Sequence, residues 1–309
     1  MVRSLFVTGA SGFIGRTLLA RFRPQRYDHV SCLTRNESAA ANLVENDYLN
    51  WLIGSIFDSS VYGSCLESTD LVIHLAATTG KARREEYFRV NSAGTRYLLA
   101  QCKQRGVKHF LYVSTIAVKY GNKSHYYYAQ SKQEGEEAVT QSGLNYTILR
   151  PTIVLGKDSP GWNALSGLAR LPLVPVLGDG STRIQPIDVD DVVDAILAII
   201  EEQDFCNATY DFGGPEIITI EEFLRKISRF YRGSEPRIMH LPQKPLRWIV
   251  ACAESVLPGL MPLNAGQLSV FVQDGSVAPN RLYEKQRPRM KDLDTVLRSL
   301  TRNEGTDAR

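Results

Sequence analysis

The chain has 309 residues, of which 43% are hydrophobic and 22% charged, so it can bury a large core as one two-lobed domain or two small domains. Its 36 lysines and arginines against 33 aspartates and glutamates leave a net charge of only +3, so we expect neither a nucleic-acid nor an anionic-membrane partner. The five scattered cysteines form no CxxC pair and have no histidine at metal-ligand spacing. We therefore expect no metal site and a reduced, cytoplasmic location.

Two apolar segments of the chain lack the patterns of a signal peptide and of a membrane span. The N-terminal stretch "RSLFVTGA" lacks the long apolar run and the cleavage site of a signal peptide, and it predicts a buried strand. The apolar segment 246–263 is interrupted by Glu254 and two prolines, so it is too short to span a bilayer. We expect a packed amphipathic helix there and no stable membrane insertion.

Six short apolar runs alternate with longer helical patterns through the first half of the chain. This alternation predicts repeated βαβ units, and hence an α/β fold with a doubly wound parallel sheet of the Rossmann type. The predicted strands are SLFVT (4–8), HVSCL (29–33), LNWLI (49–53), LVIHLA (71–76), HFLYVS (109–114) and YTILRP (146–151).

The pattern becomes less regular after Pro151. Proline and glycine are frequent over residues 156–180, which indicates loops and short elements around a cleft. In these loops Trp162 and Arg183 are candidates for substrate contact, with a plain surface role as the alternative. A strong helix is predicted over residues 189–202, and further helices near 220–231 and 246–257.

These patterns predict two lobes and a tail. Residues 1–155 form the Rossmann domain, onto which the helix 189–202 packs back. Residues 156–300 mostly form a smaller C-terminal α/β lobe that binds substrate, and residues 301–309 form a polar tail.

A glycine-rich turn follows the first predicted strand. The stretch "VTGASGFIG" places Gly9, Gly12 and Gly15 between that strand and a helical pattern. Glycines at these positions permit a tight turn and let backbone N–H groups approach a pyrophosphate at the positive end of the helix. The turn therefore predicts a dinucleotide site.

The end of the second strand distinguishes the two nicotinamide cofactors. A carboxylate about 20 positions beyond the glycines binds a ribose 2′-hydroxyl, whereas an arginine receives a 2′-phosphate. The sequence "SCLTRNES" has Arg35 there and no carboxylate at the strand end. Arg16 is a candidate second cation. NADP(H) is therefore the expected cofactor, with NAD(H) as the alternative if Arg35 is only a solvated loop residue.

Several stretches together resemble the extended short-chain dehydrogenases/reductases, the group that contains NAD(P)-dependent epimerases, dehydratases and reductases. They occur in family order over about the first 200 residues, and "PLNAGQLSVFVQDGSVAPN" (262–280) further resembles an atypical branch related to the 39 kDa accessory subunit of respiratory complex I. The matching stretches are "TGASGFIG" (8–15), "HLAA" (74–77), "VNSAGTRYLL" (90–99), "VSTIAV" (113–118), "YAQSKQEGE" (128–136) and "LRPTIVLG" (149–156).

The resemblance implies a catalytic tyrosine four residues before a lysine, and in "YYYAQSK" only Tyr128 stands at that distance from Lys132. Residues four apart share a helix face. The lysine is then expected to bind the nicotinamide ribose and to lower the pKa of the phenol, which starts at about 10. Tyr126 and Tyr127 are expected to pack or to line the substrate pocket. Thr115 is the expected hydroxyl partner of the substrate oxygen.

The resemblance also implies a set of cofactor contacts. His74 and Asn91 are expected to make structural hydrogen bonds or packing contacts instead, and Ser55 replaces the family's usual aspartate at the adenine end, where a neutral hydroxyl makes a weaker bond. The implied contacts are Gly9, Ser11, Gly12, Phe13, Ile14, Gly15, Arg35, Ser55, Ile56, Ala76, Ala77, Ser114, Tyr128, Lys132, Pro151 and Ile153.

Two departures weaken the family's commonest substrate, a nucleotide sugar. Ile153 takes the place of an asparagine that binds the substrate pyrophosphate in those enzymes, and an apolar side chain has no amide to donate. Asp188 takes a place often held by histidine, and a carboxylate there is expected to repel phosphate. The sequence favours a small-molecule substrate with a carbonyl or secondary hydroxyl.

Two functions of different class remain open at this stage. One is an NADP-dependent oxidoreductase, epimerase or dehydratase that uses Tyr128, Lys132 and Thr115, with a nucleotide-sugar epimerase as a variant. The other is an NADP(H)-binding redox sensor or assembly factor without turnover. The intact tyrosine–lysine pair favours the enzyme. A homodimer through the helices after strands four and five is also left open.

Overall fold

The computed structural model describes residues 2–38, 49–242 and 272–304. In it, six strands lie at the positions that the apolar runs predict. Most of their residues are buried, because a parallel sheet covered by helices on both faces requires apolar side chains on both sides of each strand. The strands are β1 (Ser4–Thr8), β2 (His29–Thr34), β3 (Leu49–Ile53), β4 (Leu71–His74), β5 (His109–Val113) and β6 (Asn145–Pro151).

The connections β1–β2, β3–β4, β4–β5 and β5–β6 each contain a helix, whereas most of the β2–β3 connection lies outside the described residues. The connection from β4 to β5 changes winding within one helix: the π-helical residues Phe88–Gly94 lie between two α-helical parts, and a π-turn alters the direction in which side chains project. Short 3₁₀ turns occur at Pro24–Arg26 and Ile116–Lys119. The helices are α1 (Phe13–Arg21), α2 (Ser59–Leu66), α3 (Arg84–Tyr87), α4 (Thr95–Gln104) and α5 (Tyr127–Gln141).

The rest of the chain alternates short strands with helices, and a further 3₁₀ turn occupies Arg287–Arg289. Its elements are β7 (Val154–Leu155), α6 (Pro160–Ala169), β8 (Leu173–Leu177), β9 (Arg183–Ile184), β10 (Ile187–Asp188), α7 (Val189–Glu202), β11 (Ala208–Phe212), β12 (Ile218–Thr219), α8 (Ile220–Arg232), β13 (Arg237–Leu241), α9 (Arg281–Gln286) and α10 (Leu293–Glu304).

The central sheet has seven parallel strands in the order β11-β6-β5-β4-β1-β2-β3 over the described residues. The seventh strand, β11, was not among the predicted runs. It pairs with β6, so that Tyr210 lies beside Leu149. The strand order reverses between β1 and β4, and the carboxyl ends of parallel strands flank a crevice at such a point.

Three large clusters of buried side chains form most of the core of the described residues. One cluster joins the sheet to α1, α7 and α9, and a second joins the other face to α2, α4 and α5. The third holds α6, α8 and α10 together with β8 in the C-terminal part. The helix predicted to pack back onto the first domain is α7, and it contacts α1.

Several expectations for the second half were met and others were wrong. α7 and α8 occupy the positions predicted for them, whereas the helix expected near 246–257 lies outside the described residues. Residues 156–180 include the regular helix α6, in which Trp162 is fully buried. Both roles considered for it, substrate contact from a loop and a plain surface position, are therefore wrong, because the third cluster encloses its ring.

The end of the chain also differs from the expected tail. α10 continues to Glu304, and residues 305–309 lie outside the described part. Among the described residues no helix combines the length and the apolar character that a membrane span needs.

Candidate active site

The glycine turn joins β1 directly to α1. Gly9 has a positive φ of 71°, and a Cβ there would lie 2.5 Å from the backbone nitrogen of Ala76. A Cβ on Gly15 would lie 2.3 Å from the carbonyl oxygen of Gly9. Gly12 is the N-cap of α1 and donates its N–H to the Gly9 carbonyl over 2.9 Å. The turn therefore requires glycine at two positions, and it leaves its outer surface to a ligand.

Two cavities meet at this turn, and both include Gly9, Gly12, Leu75 and Ala77 in their walls. The tyrosine cavity, of about 350 Å³, extends past Ser114, Thr115 and Tyr128 to Ile153 and α6. The arginine cavity, of about 220 Å³, is bounded by Ser11, Arg35, Ser55, Ile56 and Arg89. Together they form one groove across the carboxyl ends of β1, β2 and β4.

Tyr128 stands in the first turn of α5 and lines the tyrosine cavity. Burial raises the pKa of its phenol to about 12, and a hydrogen bond with Thr115 acts in the opposite direction. The net shift is upward because burial outweighs the other influences, and a lowering by the Lys132 ammonium stays a prediction. The phenol is thus a neutral proton donor near pH 7.

Lys132 lies one helical turn after Tyr128 and is almost fully buried beneath the cavity wall. Its Nζ donates to the carbonyl oxygen of Val113 over 2.6 Å and stands 3.9 Å from the centre of the Tyr112 ring. Burial lowers the pKa of this amine to about 7, and the charge of Glu136 acts to raise it. Lys132 contributes no surface to either cavity.

Ser114 and Thr115 follow β5 and both line the tyrosine cavity. The Thr115 hydroxyl oxygen accepts the backbone N–H of Ala117 over 3.3 Å, which begins the 3₁₀ turn. The buried Ser114 hydroxyl has no hydrogen-bond partner among the described residues. An unpaired buried hydroxyl beside a cavity is suited to a polar ligand atom.

Asn91 and His74 support the site from behind, as the sequence led us to expect. The Asn91 carboxamide oxygen accepts the Thr78 N–H over 2.7 Å, and its amide donates to Ser131 over 3.0 Å. The π-helical segment places this side chain between two parts of the site. His74 bridges the hydroxyls of Thr8 and Thr95 at 2.6 Å and 2.9 Å, and burial lowers its pKa to about 3.

The other two tyrosines of the motif, Tyr126 and Tyr127, have different surroundings: one lines the cavity and the other packs elsewhere. Tyr126 lines the tyrosine cavity, with its ring 6.1 Å from that of Tyr128. Tyr127 points elsewhere and lies 5.5 Å from the guanidinium of Arg84. Pro151 and Ile153 line the tyrosine cavity, and Phe13 and Ile14 of the glycine turn do so as well.

The arginine cavity contains most of the predicted adenine-end residues. Arg35 is exposed and forms part of the wall, together with Ser55, Ile56 and Ala76. Ser11 shares a hydrogen bond of 2.8 Å with the Thr34 hydroxyl at the end of β2. Arg16 is not part of this wall, because its guanidinium pairs with Asp158 at 2.6 Å.

Asp188 has a structural role that the sequence did not reveal. Its carboxylate caps the start of α7 by accepting the Asp190 N–H over 2.9 Å, and it pairs with Lys291 at 3.0 Å. The expected repulsion of phosphate by Asp188 is therefore wrong, because a partner neutralises the carboxylate and it lies outside both cavity walls.

Sequence reasoning missed several wall residues. Arg89 lines the arginine cavity, with its guanidinium carbon 6.0 Å from the centre of the Phe57 ring. The one sequence signal for Arg89 was its place directly before the stretch "VNSAGTRYLL". Tyr120 and the start of α6 line the tyrosine cavity without any motif of their own.

The groove fits a nicotinamide dinucleotide by its own features. The glycine turn provides close backbone approach at the N-terminus of α1, the unpaired Ser114 hydroxyl faces one cavity, and two arginines border the other. No group of three or more histidine, cysteine, aspartate or glutamate side chains in the described ranges is arranged to hold a metal ion.

Known proteins are similar to this chain in sequence and in fold. The chain is 25% identical over 303 residues to the mitochondrial NADH dehydrogenase (ubiquinone) 1 alpha subcomplex subunit 9 of Arabidopsis thaliana, with 94% of this chain and 73% of that protein covered. It is 27% identical over 256 residues to a ceramide reductase of Caulobacter vibrioides, with 76% and 73% covered.

A solved structure extends the likeness to the whole fold. The dTDP-glucose 4,6-dehydratase DesIV of Streptomyces venezuelae, with NAD and DAU bound, superposes with a TM-score of 0.73 at 21% identity, covering 96% of this chain and 95% of that one. The model of the NAD dependent epimerase/dehydratase family matches residues 5–213. The chain therefore belongs to the NAD dependent epimerase/dehydratase family.

Proposed function

We propose that the protein is an NADP(H)-preferring oxidoreductase that interconverts a carbonyl and a secondary hydroxyl, with Tyr128 as the general acid and base. The observation that carries this proposal is the neutral Tyr128 phenol beside Thr115 in the wall of the tyrosine cavity. A protein that only binds a dinucleotide has no need of such a proton donor there.

The chain's own residues account for the proton. In the reductive direction Tyr128 donates its phenol proton to the carbonyl oxygen as the C–H bond forms, and Thr115 and Ser114 hold that oxygen by hydrogen bonds. In the oxidative direction the phenolate takes the proton back. A bound nicotinamide supplies or accepts the hydride. Lys132 stabilises the phenolate when it is protonated, which its pKa of about 7 allows near neutral pH.

The preference for NADP(H) rests on the arginine cavity. Arg35 and Arg89 border it, and its wall contains no carboxylate among the described residues. A 2′-phosphate gains charge-assisted hydrogen bonds from such arginines, whereas a ribose 2′-hydroxyl gains much less.

The proposal is tested by following NADPH absorbance when the protein meets a panel of ketones, aldehydes and a cell metabolite extract. The rate of NADPH oxidation by the Tyr128→Phe variant should be roughly 10²- to 10⁴-fold lower, as is typical when a general acid is removed. The Tyr127→Phe variant is the matched control and should keep the rate, since Tyr127 points away from the cavity. Equal loss in both variants would contradict the role of Tyr128.

Two alternatives have specific support. The similarity to a complex I subunit favours an NADP(H)-binding sensor or assembly factor without turnover. The family and the DesIV likeness favour an epimerase or dehydratase in which the hydride returns to the product. Tight NADPH binding without net oxidation points to one of these two. Incorporation of deuterium from labelled NADPH into a product distinguishes a net reductase from both.

A further inference from the structure

The wall of the tyrosine cavity combines a few hydroxyls with a largely apolar surface. Of its hydroxyls, Thr152 donates to the Gln185 carbonyl and Ser159 to the Val154 carbonyl over 2.6 Å, so both are held by backbone. Ser114, Thr115 and Tyr128 are grouped at the carboxyl end of β5 and the start of α5. Beyond the glycine turn, Thr79 is a further polar residue of the wall, and Tyr120 and Tyr126 contribute aromatic rings with phenol hydroxyls. The other side chains there are apolar and include Ile116, Ile153, Pro160, Ala164 and Leu165.

No charged side chain lines the tyrosine cavity among the residues that the structure describes. Cations on adjoining elements already have partners. Arg16 of α1 pairs with Asp158, and Arg150 of β6 forms two hydrogen bonds with the Glu136 carboxylate. A phosphate or carboxylate in this cavity would lose its hydration without gaining a charged partner from these elements.

For an apolar ligand, in contrast, transfer from water into this cavity is favourable. Each methylene group that it buries against Ile153, Leu165 or Tyr126 is removed from water, and this favours binding roughly fourfold per methylene. The three hydroxyls satisfy one carbonyl or hydroxyl oxygen.

We propose that the substrate is an uncharged ketone, or the matching secondary alcohol, carried on an apolar body. Its oxygen binds at Tyr128 and Thr115, and its body lies against Tyr126, Ile153 and α6. The carbonyl carbon gains the hydride of a nicotinamide donor and the oxygen gains the Tyr128 proton, so the ketone becomes a secondary alcohol. The inference rests on the proposed function and adds the substrate class to it.

Calorimetric titration of the NADP⁺-loaded protein tests the substrate class without turnover. The probes are 2-butanone, 2-hexanone and 2-octanone, with UDP-glucose as the charged comparison. We expect the dissociation constant to fall roughly fifteenfold from 2-butanone to 2-hexanone, since two more methylenes are buried, and to fall again for 2-octanone. UDP-glucose should give no binding heat.

A charge placed in the wall provides the matched variants. Ala164→Glu sets a carboxylate into the cavity and should abolish the dependence on chain length. Gly167→Glu carries the same change on the same helix at a place where a Cβ meets no atom within 4 Å, and it should keep the dependence. NADPH affinity and the unfolding temperature report whether each variant is folded. A similar loss in both folded variants would contradict the inference.

The outcomes separate this inference from the proposed function. UDP-glucose binding, a flat ketone series, or no ketone binding at all would each overturn the apolar substrate class. Tyr128→Phe removes one hydrogen bond to the ketone oxygen, so it should weaken the binding of every ketone by a similar factor and keep the dependence on chain length, because the apolar wall is intact. Chain-length-dependent binding without NADPH oxidation by the wild type would keep the substrate class and overturn the proposed chemistry. NADPH oxidation with a UDP-keto sugar would keep the proposed chemistry and overturn the apolar substrate class.

Discussion

Burial determines the protonation of the side chains at the centre of the site. It holds Tyr128 neutral with a pKa of about 12 and lowers the pKa of Lys132 to about 7. In each case the charged form loses hydration that no full counter-charge replaces. Lys132 is thus placed for chemistry at a cost in stability, as is common for buried functional groups.

Replacing Lys132 by methionine should stabilise the protein while removing activity. The pKa of Lys132 is lower in the folded chain than in the unfolded one, so its burial weakens stability most below pH 7 and has no effect above about pH 10.5. We expect Lys132→Met to raise the free energy of unfolding by about 2 kcal/mol at pH 6, net of the lost hydrogen bond to Val113, and by less at pH 10. Urea unfolding at both pH values measures this, and a variant less stable at pH 6 would contradict it.

Asp191 is a second buried charge, at the start of α7. Burial and the neighbouring Asp188 raise the pKa of its carboxyl to about 7. A folded-state pKa above the unfolded value means that stability is highest below about pH 4 and decreases as pH rises to 7. Asp191→Asn should therefore add about 2 kcal/mol at pH 8 and little at pH 4.

The control for this prediction is Asp194→Asn on the same helix. Asp194 is only partly buried and pairs with Arg21, so its replacement should change stability by less than about 1 kcal/mol at either pH. Equal effects of the two variants at pH 8 would refute the assignment to burial.

At the scale of elements, the junction of β1 and α1 depends on backbone contact. The Gly9 and Ala10 carbonyl oxygens would lie 2.3 Å and 2.6 Å from a Cβ on Gly15, and backbone atoms cannot move away as a flexible side chain does.

Gly15→Ala should therefore shift α1 away from the turn and lose NADPH binding together with several degrees of unfolding temperature. Gly167→Ala in α6 is the control, because the added methyl meets open space and should raise stability slightly. Fluorescence titration with NADPH and a thermal scan test both, and unchanged NADPH affinity in Gly15→Ala would contradict the expected displacement.

A network of ion pairs connects α5 to the far edge of the sheet. Arg150 on β6 binds the buried carboxylate of Glu136 on α5 and also Asp211 on β11, which pairs with Lys119 at 2.7 Å. The network backs the same helix that carries Tyr128 and Lys132.

Arg150→Met should destabilise the protein by about 3–5 kcal/mol, because it leaves the Glu136 carboxylate buried without its partner. Lys119→Met removes the half-exposed end of the network and should cost less than about 1 kcal/mol. Adding Glu136→Gln to Arg150→Met should recover part of the loss. Denaturant unfolding measures all three, and equal losses in the two single variants would exclude this explanation.

At the scale of the whole molecule, the groove brings together residues from distant parts of the chain. Strands β1 and β2, the residues directly after β4, the π-helical segment and α5 all contribute wall residues, so a ligand in the groove favours the folded state over the unfolded one.

NADPH at a hundred times its dissociation constant should stabilise the protein by about 2.7 kcal/mol, which is several degrees of unfolding temperature for a chain of this size. NADH at the same concentration should raise the unfolding temperature less than NADPH does. In Arg35→Ala the two cofactors should raise the unfolding temperature by similar amounts. Equal shifts in the wild type would overturn the preference for NADP(H).

The sequence by itself determined the local features. The strands β1 to β6, the glycine turn and the extent of α7 follow from apolar periodicity and from glycine and capping residues, which act between neighbours in the chain. The spacing of Tyr128 and Lys132 on one helix face is local in the same sense.

Only the tertiary structure decided the features that depend on contacts between distant residues. β11 is short and half polar, and it becomes a strand because β6 offers a free edge for pairing. Asp188 is neutralised by Lys291, more than a hundred residues away, and Trp162 is enclosed by α8 and α10. The Tyr128 phenol has a raised pKa because the fold buries it, and the spacing of its motif contains no information about that burial.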